Sequence, residues 1–176
     1  MVDLALLQSL SYIAGAIGVC VAAVYYMMNL QMARRKMKLD NTLFYGNLIT
    51  NKEMILQWRH VLFDQQFQSF EEWENKYRYD PEAYSNFHST LGLLGMIGMC
   101  VKEDLIVFDM LAKRGNLPWI LAVYPKVKPV IMGYRVLYND PSYGSYSEYL
   151  YEEAVKRYPN VKMSRERAQL IMGVDK

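Results

Sequence analysis

Cysteine and histidine are scarce, with two of each in 176 residues, and this scarcity excludes several kinds of site. Cys20 and Cys100 form no spacing motif, so a disulfide framework is absent, as expected in a reducing compartment. His60 and His88 lack the Glu-x-x-His and i, i+4 histidine spacings that put metal ligands on one helix face. We therefore predict no metal and no other cofactor.

The short motifs of common catalytic sites are also absent. There is no Gly-x-Ser-x-Gly nucleophile elbow and no glycine-rich phosphate loop between a strand and a helix. The clustered glutamates lie on polar helix faces, where solvated charge is their expected role: Glu71, Glu72, Glu74, Glu152 and Glu153. No catalytic residue is predicted. A membrane-bound enzyme with a site assembled from dispersed residues, based only on His60 and His88, stays an alternative.

Charged side chains are missing from residues 4–33, between Asp3 and the first arginine. About 20 apolar residues, each rising roughly 1.5 Å, cover a hydrocarbon core of about 30 Å. Leu4 to Met28 is therefore predicted to be one transmembrane helix. Tyr12 and Tyr26 lie near its two ends, where amphipathic rings favour the headgroup region.

A basic cluster follows the apolar segment directly and is expected to contact anionic headgroups: Arg34, Arg35, Lys36 and Lys38. Because basic flanks stay in the cytoplasm, we predict a cell-membrane protein with its N-terminus outside and its C-terminal domain cytoplasmic. A cleaved signal peptide fits less well, since Asp3 is the only charge before the apolar core.

Small residues recur along the predicted span. Ala14, Gly18 and Ala22 are four positions apart, with Gly15 beside them, and such lines let another helix approach closely. This spacing indicates other membrane-protein subunits or self-association as partners. The general abundance of alanine and glycine in transmembrane helices is the alternative explanation.

The rest of the chain reads as all-α, because no stretch shows sustained alternation with β-branched residues. Helix starts are predicted from side chains that cap helices: Thr50 with Glu53, Ser69 with Glu72, Asp80 before Pro81, Pro118, and Ser145 with Glu148. The predicted organisation is an anchor at 1–33, a cytoplasmic bundle of about six helices at 34–160, and a charged tail at 161–176.

Two features of the predicted bundle suggest unusual packing. Gly92, Gly95 and Gly98 lie in an apolar helix, where each costs about 1 kcal/mol relative to alanine, so a close approach to this backbone is expected. Pro125 and Pro129 remove backbone donors from the helix after Pro118, and they are expected to kink or split it.

Tyrosine is abundant, with 15 residues, and many lie between positions 134 and 158. Tyrosine is enriched at protein interfaces, so Tyr134, Tyr138, Tyr146 and Tyr149 are candidate partner-binding residues, with core packing as the alternative. No stripe of basic and aromatic residues indicates nucleic acid.

The order of these features resembles the domain of unknown function 4760 family. The resemblance rests on the single apolar helix, its basic exit, and Asn86-Phe87, Leu91 to Leu94, Val101-Lys102, Asp104 to Ile106, Trp119 and Pro129. It implies a small prokaryotic membrane-anchored helical protein without an assigned activity or functional residues.

The sequence therefore favours a single-pass membrane-anchored interaction protein, an accessory or scaffold subunit of a membrane complex. The enzyme described above is one alternative. The other is a lipid-surface module that binds through residues 34–38.

Overall fold

The structure, a computed structural model, describes residues 4–161 apart from the side chain of Leu6. Apart from Val161, the predicted charged tail at 161–176 lies outside the described residues. By compactness the chain divides into two units, Met1–Leu39 and Asp40–Lys176.

Helix α1 spans Leu4–Ile49. Residues 4–39 of this helix are the described part of the first unit, and residues 40–49 belong to the second unit. Within the described residues it is the one helix long and apolar enough to cross a membrane. The described side chains from Leu4 to Met28 are exposed. Two of its polar side chains bond within the helix: the Ser9 and Ser11 hydroxyls donate to the Ala5 and Leu7 carbonyls at 2.9 Å.

The second unit is a bundle of helices, which confirms the all-α prediction. After the end of α1 the α-helices are α2 (Lys52–Arg59), α3 (Phe70–Tyr77), α4 (Pro81–Lys102), α5 (Phe108–Leu111), α6 (Leu117–Leu137) and α7 (Ser145–Arg157). A π-helical turn, His60–Asp64, follows α2, and the segment Ala112–Asn116 after α5 contains a kink at Gly115, whose φ is 85°. No β-strand occurs between residues 4 and 161.

Helix α4 is central in the bundle and packs most extensively against α7. Its Phe87, Leu94 and Ile97 are fully buried, together with side chains from the surrounding elements: Trp58, Val61, Trp73, Val127, Ile131 and Leu150. The second half of α4, too short to span a bilayer, was expected to be buried within protein. This holds for one side of the helix, including Leu93, Leu94 and Ile97, whereas Met96 and Met99 are exposed.

The predicted start of α4 is confirmed. The Asp80 carboxylate accepts hydrogen bonds from the backbone N–H groups of Glu82 and Ala83, and Pro81 occupies the first turn. The start of α3 also follows the prediction, because the Ser69 hydroxyl accepts from Glu72 N–H at 3.2 Å.

Two predicted caps are wrong. Thr50 directly follows α1, its hydroxyl donates to the Gly46 carbonyl at 3.0 Å, and Asn51 caps α2 instead. The predicted cap of Ser145 with Glu148 is not formed. Helix α7 begins after Gly144, a left-handed residue with φ of 69°, and no side chain caps the helix.

The prolines of α6 do not split it, contrary to one of the expected effects. The helix is continuous through Pro125 and Pro129 to Leu137. Fully buried residues flank both prolines, including Val123, Val127 and Val130. Tertiary packing of this apolar face supports the helix where backbone hydrogen bonds are missing.

Candidate functional site

The bundle carries an open groove between α4 and the start of α7, which we call the α4–α7 groove. Its volume is about 490 Å³. One wall consists of residues of α4 and the other of residues 142–147: His88, Leu91, Gly92, Gly95 and Lys102 face Ser142, Tyr143, Gly144, Ser145, Tyr146 and Ser147. His88, Gly92 and Gly95 share one face of α4 because they are four and three positions apart.

The three glycines of α4 differ in their surroundings. A Cβ at Gly98 would overlap the backbone carbonyl of Tyr146, so here the predicted close approach is found. At Gly95 a Cβ would make an ordinary contact, 3.6 Å from the Ser147 hydroxyl. At Gly92 nothing lies within 4 Å, so the expectation of close packing is wrong for this residue, which lines the open groove instead.

The small residues of α1 have no comparable neighbour within the first unit. A Cβ at Gly15 or Gly18 would meet nothing within 4 Å, and Ala14 and Ala22 are exposed. Their role in helix packing therefore stays a prediction.

The candidate tyrosines separate into buried and exposed residues. Tyr134 is only 4% exposed and packs in the core, which corrects its assignment as a partner-binding residue. Its ring stacks on that of Tyr138 at 5.3 Å. Tyr138 is 57% exposed and Tyr146 39%, whereas Tyr149 is half-buried. Among the four candidates, the exposed tyrosines are therefore Tyr138 and Tyr146.

His88 lies among aromatic rings at one end of the α4–α7 groove. Its ring centroid is 4.2 Å from that of Tyr84 and 5.8 Å from that of Tyr134, whose hydroxyl lies 3.4 Å from His88 Nε2. Burial lowers the pKa of His88, so the imidazole is neutral at neutral pH. No group of three or more metal-ligating side chains suited to an ion occurs among the residues that the structure describes.

Lys102 is the charged residue of the groove lining. Its ammonium lies 5.4 Å from the ring centroid of Tyr146 and 5.9 Å from that of Tyr149, distances typical of cation–π contacts. Side chains on a helix lean toward its N-terminus, so the Lys102 ammonium lies back along α4 toward the groove. Hydroxyls of Ser142, Ser145 and Ser147 add further hydrogen-bonding groups to the lining.

A side-chain network holds the α7 wall of the groove in place. Arg135 donates through Nε to the Tyr143 carbonyl at 2.9 Å and through Nη2 to the Glu148 carboxylate at 2.7 Å. The hydrogen bond from Arg135 holds the pKa of Glu148 below its ordinary value, with a smaller contribution from Tyr124. Burial and the Glu148 carboxylate raise the pKa of Tyr124.

A second concavity lies beside the π-helical turn that follows α2, and we call it the His60 recess. It has a volume of about 370 Å³ and is lined by Leu56, Gln57, Arg59, His60, Asp64, Glu82 and Asn86. His60 Nδ1 lies 3.3 Å from the Asp64 carboxylate. Sequence reasoning noted His60 but missed this pairing, although the two residues have the i, i+4 spacing of neighbours on a helix.

The predicted membrane-surface residues lie on α1 in the first unit. Arg34, Arg35 and Lys36 are exposed and Lys38 is half-buried. Their contact with headgroups stays a prediction.

No family model, curated protein or solved structure matches this chain. The resemblance to the domain of unknown function 4760 family therefore stays a prediction, and the functional argument depends on the geometry above.

Proposed function

We propose that this protein is a single-pass membrane-anchored interaction protein, an accessory or scaffold subunit whose helical bundle docks a partner at the membrane. The observation that carries the proposal is the first part of α1, where apolar side chains are exposed on all sides while Ser9 and Ser11 bond within the helix. Such a helix is unfavourable in water and suits a bilayer, which requires backbone and side-chain polar groups to be satisfied internally.

The proposed orientation has the bundle in the cytoplasm. It rests on Arg34, Arg35 and Lys36, which are exposed just beyond the apolar segment. Basic residues at this position oppose translocation and attract anionic headgroups, each contributing about 1 kcal/mol near the surface.

The proposed docking surface is the α4–α7 groove with the exposed rings of Tyr138 and Tyr146. Tyrosine offers a large contact area with a polar tip at low entropic cost. Lys102 supplies positive charge to the groove, and none of the described residues that line the groove is acidic. We therefore propose that the partner presents an acidic segment of a membrane-complex subunit to this groove.

The anchor is tested by sedimentation and alkaline carbonate extraction of membranes from cells expressing the full chain. The wild-type protein is expected to stay in the membrane pellet. Replacing Val19 and Ala22 by Arg, each costing roughly 3 kcal/mol at the membrane centre, should release it, whereas leucine at both positions should not. Recovery of the wild-type chain in the soluble fraction would overturn the anchor.

Orientation is tested by protease treatment of intact and permeabilised cells. The bundle should be protected in intact cells and cleaved after permeabilisation. Cleavage of the bundle in intact cells would reverse the proposed sidedness.

The docking function is tested by mild detergent purification from the native source and measurement of stoichiometry. A companion protein at fixed stoichiometry should be lost with Tyr146→Ala or Lys102→Glu. Tyr79→Ala is a matched control, because Tyr79 is 87% exposed and does not line the groove. A chain that purifies without a companion, or one whose companion is unaffected by both groove variants, would contradict this function.

A further inference from the structure

A π-helical turn, His60–Asp64, follows α2 beside the His60 recess. Gln65 N–H donates to the His60 carbonyl at 3.0 Å, the i to i+5 bond of a π turn. His60 Nδ1 then lies 3.3 Å from Asp64 Oδ2. When Nδ1 carries the proton that the Asp64 carboxylate accepts, Nε2 of the imidazole is a hydrogen-bond acceptor. Turns of this kind occur frequently at functional sites.

Two acceptor atoms beside this turn lack hydrogen-bond partners. His60 Nε2 and Gln57 Oε1 are both buried, and neither has a partner within the described residues. The two residues are three positions apart and line the same recess. A buried polar group without a partner is destabilising, so a donor supplied from outside would relieve two such penalties together.

The charges of the His60 recess favour a cation. Asp64 and Glu82 contribute two carboxylates, against one guanidinium from Arg59. Asn86 adds an amide that can accept a further hydrogen bond. Its volume of about 370 Å³ falls in the range of small-ligand sites.

We propose that the His60 recess binds a primary ammonium group. The three N–H donors of an ammonium correspond to three acceptors: His60 Nε2, Gln57 Oε1 and the carboxylate of Glu82, since that of Asp64 is paired with His60 Nδ1. The lining contains no serine, threonine or cysteine among the described residues, so the recess is a binding site without a hydroxyl or thiol nucleophile. This proposal does not depend on the docking function of the α4–α7 groove, which lies on other residues.

The probe is n-butylammonium chloride, added to the full chain in detergent micelles and followed by NMR of the imidazole and side-chain amide signals. At millimolar concentration, the signals of His60 and the Gln57 amide should shift in a saturable way while those of His88 stay unchanged. N-butylacetamide, which has the same chain without the ammonium, should cause no shift. Absence of saturable shifts, or equal shifts with the acetamide, would overturn the proposal.

Substitutions inside and outside the His60 recess distinguish binding in the recess from a general effect of charge on affinity. Glu82→Gln and Gln57→Leu should each weaken binding by about tenfold or more, the effect of losing one charge-assisted or buried hydrogen bond. Glu53→Gln is the matched control, since this exposed residue carries the same charge and does not line the recess. Unchanged backbone spectra establish that each variant is folded. Equal affinity of Glu82→Gln and Glu53→Gln would show that the recess does not bind the probe.

A capped Gly-Lys-Gly peptide distinguishes two sources of the ammonium. Saturable binding of the peptide with the same dependence on Glu82 would assign the recess to a lysine side chain of a protein. Binding of butylammonium without binding of the peptide would assign it to a free amine. Either result supports recognition of an ammonium, and failure of both probes contradicts it.

Discussion

Gly98 of α4 packs directly against the backbone of Tyr146, so closely that a Cβ at position 98 would overlap the Tyr146 carbonyl group. This contact brings α7 against α4 and places the Tyr146 ring beside the groove. Gly92, on the same helix, meets nothing within 4 Å.

Substitution by alanine should therefore change the free energy of unfolding in opposite directions at Gly98 and Gly92. Gly98→Ala should destabilise the bundle by about 1–3 kcal/mol through overpacking. Gly92→Ala should stabilise it by up to about 1 kcal/mol, because alanine is the better helix former and the space is open. Urea unfolding of the full chain in micelles, followed by circular dichroism, measures both. Changes of the same sign would contradict the packing described for Gly98.

Gln65 connects three elements although it is fully buried. Its amide donates to the Ala83 carbonyl at 2.7 Å and accepts from Trp73 Nε1 at 3.3 Å. Gln65→Leu leaves the buried Trp73 N–H unpaired, at about 1–3 kcal/mol, and removes a second hydrogen bond from the Ala83 carbonyl, which keeps its bond within α4. The exposed Gln68→Leu is the control in the same urea unfolding measurement, and an equal loss in both variants would argue against the buried bridge.

Glu148 should make the stability of the bundle depend on acidity. Its folded pKa is lowered by the hydrogen bond from Arg135, so its contribution is complete above the ordinary value of 4.5. That contribution is lost as pH falls below 4.5 through the lower folded value. Glu148→Gln should cost about 1–3 kcal/mol at neutral pH and little at strongly acidic pH. Unfolding of wild type and variant across this range measures the difference, and a constant difference would exclude the linkage.

His88 should add a second pH dependence at a higher pH. Burial lowers its folded pKa below the ordinary 6.5, so the unfolded chain binds a proton more readily. The stability associated with neutral His88 is present above 6.5 and declines as pH falls below that value. NMR titration of the imidazole should place its midpoint below 6.5. His88→Phe, which keeps an aromatic ring, should remove the corresponding loss of stability, and a midpoint above 6.5 would contradict the buried environment.

Local signals predicted the helices well. Asp80 and Pro81 mark the start of α4 because a carboxylate cap followed by proline acts within one turn. The predicted helix caps were wrong where one of the side chains involved had another hydrogen-bond partner. Thr50 bonds back into α1, and Glu148 pairs with Arg135, which is 13 positions away in the chain.

The candidate sites were only partly accessible to sequence reasoning. Tyr138 and Tyr146 were selected from composition and are exposed, but composition did not distinguish them from the buried Tyr134. The His60 recess was missed because it combines a π turn with Glu82, which comes from the next but one α-helix.

By itself, the amino-acid sequence determined the helical class, the main helix starts and the one segment suited to a bilayer. These properties depend on neighbouring residues, through capping, periodicity and the absence of charge. Tertiary structure alone decided that Gly98 is packed while Gly92 is open, that Tyr134 is buried, and that two acceptors beside His60 lack partners. Burial and hydrogen bonding of these groups depend on which distant segments come together, and no local pattern encodes that contact.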